Sequence, residues 1–201
     1  SLNSIAEKEC ADSTVVSNDI KATSITGEDY EWIYSLVIAQ SECLLDAGRP
    51  GQAVKFLNSV YPMIKMETTF TDDLDARLVR MTADGIRQHK GIDSEARYVY
   101  DQAHRFDFSD QLKSEFYEHS INSFLEASLP EEALEVGLRF EEELAASEDS
   151  WFRDYPLSQI LIGKAYADLE LFNQSEVAAS KALRSFLTLK TSVDTEYFDP
   201  L

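Results

Sequence analysis

Apolar residues recur at steps of three and four along most of the chain, which is the spacing of one face of an α-helix. The first such stretch opens after Asp29. Its apolar residues are Trp32, Ile33, Leu36, Val37, Ala39, Cys43 and Leu44. Gly48 and Pro50 end this predicted helix, because Gly tolerates a left-handed helix terminus and Pro cannot continue the hydrogen-bond ladder.

The same pattern predicts about eight helices that pair into hairpins. The pairs occupy units of about 29–65, 71–106, 109–147 and 150–189, which together form a repeat domain over 28–190. Only seven Gly and five Pro occur, which favours long helices with short connections and predicts an all-α fold. The period is absent from 1–27 and 191–201, which predicts an irregular leader and a tail. Pro156 is expected to kink or restart its helix.

Small and aromatic residues have a recurring order in the last unit. These residues are Gly163 after Ile162, Tyr166, Ser175, Ala179 and Ala182, and the positions that correspond to Ser175 in earlier units are Ala53, Ala96 and Ala133. This order resembles the tetratricopeptide repeat, whose two helices cross closely at small residues. The resemblance implies a right-handed α-solenoid of about four hairpins, with a preformed concave groove that docks a partner segment.

The chain departs from that family in two ways. Its small positions recur after 43, 37 and 42 residues, whereas the family repeats after ~34. No unit has the usual Trp of the first helix, and Arg87 stands where Tyr is expected in the second unit. A generic array of helical hairpins therefore remains an alternative.

The formal charge of −19 argues against binding to nucleic acid or anionic membranes, which depends on clustered Lys and Arg. No stretch reaches the ~20 apolar residues of a membrane-spanning helix, and the N-terminus lacks the order of a signal peptide. We therefore expect a protein or peptide partner and a cytoplasmic location, or a periplasmic one if the chain is an excised domain. An acidic surface that serves only solubility is the alternative.

The two cysteines, Cys10 and Cys43, are expected to be reduced thiols. A disulfide between them would need an oxidising compartment and a leader that folds back onto the first predicted helix.

No motif for catalysis, phosphate binding or metal binding occurs in the sequence. His89, His104 and His119 lie on three different predicted helices, and their spacing does not bring them together. We therefore predict no catalytic residues, no metal, no cofactor and no enzymatic activity.

Arg77, Arg80 and Arg87 are the candidate partner-binding residues, because they fall on one strip of a predicted first helix. First helices line the concave groove in the family that the chain resembles. Guanidinium groups bind carboxylates in bidentate geometry, so the strip can hold a carboxylate of a partner. The alternative is that these arginines pair with acidic residues of neighbouring units.

The predicted function is that of a non-enzymatic scaffold for protein–protein interaction. One alternative is a regulatory or sensory domain of a larger bacterial signalling protein, such as a transcription regulator or a cyclic-dinucleotide synthase. Another is a self-association module or homodimer that pairs through an apolar end after Leu189.

Overall fold

The computed structural model describes residues 10, 13–22, 30–65, 72–105, 108–146 and 151–196. Within these ranges the regular elements are nine α-helices and no strand, so the all-α prediction is confirmed. The helices are α1 (Ser13–Ala22), α2 (Tyr30–Asp46), α3 (Pro50–Lys65), α4 (Asp72–Lys90), α5 (Ile92–Arg105), α6 (Asp110–Glu126), α7 (Pro130–Ala146), α8 (Trp151–Asp168) and α9 (Phe172–Glu196).

The chain divides into two compact units, Ser1–Glu95 and Ala96–Leu201. In the first unit, α3 packs on both α2 and α4, and α1 packs on α3. In the second unit, α7 packs on both α6 and α8, and α8 packs on α9. Each unit is therefore a series of helices in contact with their chain neighbours, as in stacked helical hairpins.

Three helix pairs are joined by the same turn. The backbone is left-handed at Gly48, Ser128 and Glu170, with φ of 67°, 59° and 60°. In each turn the amide of this residue donates to the carbonyl three residues earlier, and the next amide donates to the carbonyl five residues earlier, at N···O distances of 2.8–3.0 Å. These bonds satisfy carbonyls that the helix end leaves without partners. Because Ser128 and Glu170 are 42 residues apart, the last two hairpins correspond residue by residue with that offset.

The connection between α4 and α5 has a different form. It consists of Gly91 alone, with φ of 101°, and its amide donates to the carbonyl of Arg87. A residue with a side chain would be strained at this φ. The second predicted unit therefore differs from the others in its turn as well as in its sequence.

The leader and the tail differ from the prediction. Ser13–Ala22 forms α1, and its Val16 and Ile20 are buried in the core of the first unit. Two apolar residues one turn apart are too weak a signal for a helix, and contact with α3 stabilises it instead. At the other end α9 continues to Glu196, while Tyr197 and Phe198, proposed to cover the end of the stack, lie outside the described residues. Helix α8 runs through Pro156 without the expected restart.

The expectation of reduced thiols is wrong, because Cys10 and Cys43 form a disulfide. Their Cα atoms lie 5.8 Å apart, which is in the usual range for such a bond. The packing of α1 on α3 is consistent with a leader that folds back towards Cys43 on α2. This is the arrangement that the sequence analysis considered less favoured.

Candidate functional site

The helix that carries the candidate arginines, α4, is fixed to its neighbours by a buried carboxylate. Asp75 Oδ1 accepts hydrogen bonds from the hydroxyl of Tyr34 on α2, at 3.4 Å, and from that of Tyr61 on α3, at 3.1 Å. Burial, and secondly the charge of Asp75, raise the pKa of Tyr34 well above its usual range. The Tyr34 hydroxyl therefore remains a donor, and the start of α4 is held against α2 and α3.

The structure brings the three arginines into different surroundings. Arg77 Nη2 lies 3.3 Å from Glu42 Oε1, and the two side chains are 55% and 56% exposed. Arg80 is exposed and also interacts within the chain. Arg87 Nη1 lies 3.1 Å from Oε2 of Glu95, whose side chain is only 1% exposed.

This difference in burial separates the roles of the arginines. An ion pair with two exposed members is weak, about 0.2–1 kcal/mol, because water and salt screen it. Glu42 can therefore be displaced from Arg77 by another carboxylate at small cost. Arg87 instead compensates the charge of a buried carboxylate, and its removal would leave Glu95 with one partner fewer.

His104 is the centre of a second polar cluster. Its Nδ1 lies 2.9 Å from the carbonyl of Tyr100, so Nδ1 must carry the proton, since a carbonyl only accepts. In the neutral ring Nε2 then accepts from the hydroxyl of Tyr117 at 2.8 Å, and Glu143 Oε1 lies 3.4 Å from the same nitrogen. Burial and the hydrogen bond to Glu143 raise the pKa of Tyr117. The cluster satisfies the polar atom of a buried tyrosine.

The other two histidines belong to separate surroundings. His89 lies close to Gly51 and lines a shallow surface pocket with it, and His119 is exposed on α6. The described residues contain no group of three or more metal-ligating side chains. None of the described helices is long and apolar enough to span a membrane.

No protein-family model, curated protein or solved structure matches the chain. The resemblance to tetratricopeptide repeats therefore rests on the small residues of the sequence and on packing of the kind that helical repeats show.

The sequence analysis missed one surface, which lies on α9. Phe172, Leu183 and Phe186 are 67%, 61% and 48% exposed, and Ala179 between them is exposed as well. These four residues, here named the α9 stripe, follow one side of the helix at steps of seven, four and three. The spacing is visible in the sequence. Helical periodicity does not reveal which apolar face is covered, and the analysis placed the free apolar end after Leu189 instead.

Proposed function

We propose that the chain is a non-enzymatic module for protein–protein interaction that binds a carboxylate-bearing segment of a partner through Arg77 and Arg80 on α4. The observation that carries this proposal is the exposed ion pair between Arg77 and Glu42, in which both side chains are more than half accessible. A carboxylate of the partner replaces Glu42 and keeps the ion pair of Arg77.

The acidic character of the chain does not oppose such binding at physiological ionic strength. Charges separated by more than about 8 Å of solvent are largely screened, so a partner at the strip responds mainly to nearby groups. The anchored helix also limits the ordering cost of binding, because Asp75 already holds the start of α4 in place.

Arg87 is excluded from the proposed site. It pairs with buried Glu95, so its replacement would disturb the fold and confuse a binding experiment. A variant that tests binding should therefore change Arg77 and Arg80 and leave Arg87 in place.

We expect the Arg77→Ala/Arg80→Ala variant to bind its partner about 10- to 100-fold more weakly than the wild type, since hydrogen bonds to charged groups contribute about 1.5–3 kcal/mol. The measurement is affinity capture from a lysate of the cells that produce the protein, followed by mass spectrometry and titration of the captured protein. Arg97→Ala/Arg139→Ala is the matched control, because it removes the same charge from exposed ion pairs elsewhere.

The proposal requires a protein that the wild type and the control retain and the Arg77/Arg80 variant loses. Equal retention by all three proteins would contradict it. Circular dichroism of the variants separates a loss of binding from a loss of helix.

We also propose that the protein acts in an oxidising compartment, which favours the periplasmic over the cytoplasmic expectation. The Cys10–Cys43 disulfide supports this, since such bonds are rare where glutathione and thioredoxin keep thiols reduced. Alkylation of free thiols before lysis, followed by mass spectrometry, should leave both cysteines unmodified. Alkylation of both would contradict the proposal.

A further inference from the structure

The side of α9 that bears the α9 stripe corresponds to a side of α7 that is already in use. With the 42-residue offset of the two turns, Ala179 corresponds to Gly137 and Phe186 to Leu144. Gly137 and Leu144 are both buried, and a Cβ at Gly137 would lie 2.9 Å from Ile162 of α8. This side of α7 therefore receives the next helix, and the same side of α9 has no such cover among the described residues.

Exposed apolar side chains also concentrate on α9. Among the described residues, the large exposed ones outside the helix and the Leu171 that precedes it are scattered singly, as Trp32 on α2, Leu138 on α7 and Ile160 on α8. Scattered exposed apolar residues are normal on soluble proteins, whereas a contiguous stripe marks an interaction surface. A partner for this stripe must itself present an apolar helix face.

The charge of the chain selects a second copy as that partner. The three basic residues of α9 balance its three acidic ones, so the formal charge of −19 lies on the rest of the chain. Two copies repel each other over most of their surfaces and are least opposed at α9. The α9 stripe of one copy is also the apolar helix face that the other requires.

We propose that two copies of this chain associate through the α9 stripe, each α9 packing against α9 of the other about a twofold axis. The same patch serves both copies, as in most homodimers. This inference is independent of the arginine strip, which lies on α4 in the other unit.

We expect the wild type to sediment at twice the monomer mass of 22.7 kDa at high micromolar concentration. Leu183→Glu/Phe186→Glu should raise the dissociation constant at least about 30-fold, because it places charges in an apolar contact. Trp32→Glu/Val177→Glu is the matched control, since it adds the same charge at exposed apolar positions outside the stripe. The control should dimerise with an affinity close to that of the wild type.

A cysteine variant locates the contact directly. Leu183→Cys should form a disulfide-linked dimer under mild oxidation, and Trp32→Cys should not. Three results would overturn the proposal: a wild type that remains monomeric to about 500 µM, a Leu183→Glu/Phe186→Glu variant that dimerises like the wild type, or cross-linking through Trp32→Cys alone. Binding of another protein by a chain that stays monomeric would leave the arginine proposal intact and refute this one.

Discussion

Removal of the Cys10–Cys43 disulfide should lower the free energy of unfolding of the first unit by about 3–4 kcal/mol. The bond closes a loop with a sequence separation of 33 residues, and the chain entropy that it withholds from the unfolded state corresponds to that value. It also ties α1, whose Val16 and Ile20 belong to the core, to α2. Urea denaturation of Cys10→Ala/Cys43→Ala, followed by circular dichroism, measures the loss.

Hydrogen exchange shows where the loss occurs. Amides of Ser13–Ala22 should exchange faster in the variant, because α1 has only ten residues and depends on tertiary contact. Reductant is the control, since it should destabilise the wild type by a similar amount and leave the variant unchanged. A variant as stable as the oxidised wild type would show that the disulfide adds nothing to the fold.

Phe140→Ala should lower the free energy of unfolding of the second unit by about 3–5 kcal/mol, because a large buried side chain is replaced by a cavity. Phe140 is 1% exposed, and its ring stacks on Tyr117 with a centroid distance of 4.9 Å and an angle of 9°. The stacked pair joins α7 to α6 in the middle of the unit. Denaturation by urea measures the change.

Leu138→Ala on the same helix is the control for this substitution. Leu138 is 39% exposed, so its truncation should change stability by less than about 1 kcal/mol. Hydrogen exchange should rise in α6, α7 and α8 of Phe140→Ala and stay unchanged in α2 and α3. Equal losses from the two variants would mean that the stacked pair is not a centre of the core.

The positions of the helices could be predicted from the sequence because their signals are local. Apolar steps of three and four mark each helix, and Gly48, Gly91 and Pro130 mark where helices end or begin. These signals depend on residues within one turn of each other. Long helices with short connections therefore leave little doubt about an all-α fold.

The contacts of the candidate site depend on residues that come together only in the folded chain. Glu42 lies 35 residues before Arg77, and no periodic pattern marks it as a partner. Glu95 looks like an exposed residue near a helix start, yet it is buried beneath Arg87. Trp32 was assigned to the inner face of its helix and is 52% exposed. Periodicity identifies an apolar face, and the packing of neighbouring helices decides whether that face is covered.

The turn that recurs at Ser128 and Glu170 sets a step by which this chain can gain or lose length. A tandem duplication or deletion of 42 residues begins and ends at equivalent points of the turn, so every remaining hairpin keeps its hydrogen bonds. An insertion of another size within a helix would rotate its apolar residues away from the core. A hairpin added after α9 would cover the α9 stripe, so a lengthened descendant of this chain should be a monomer.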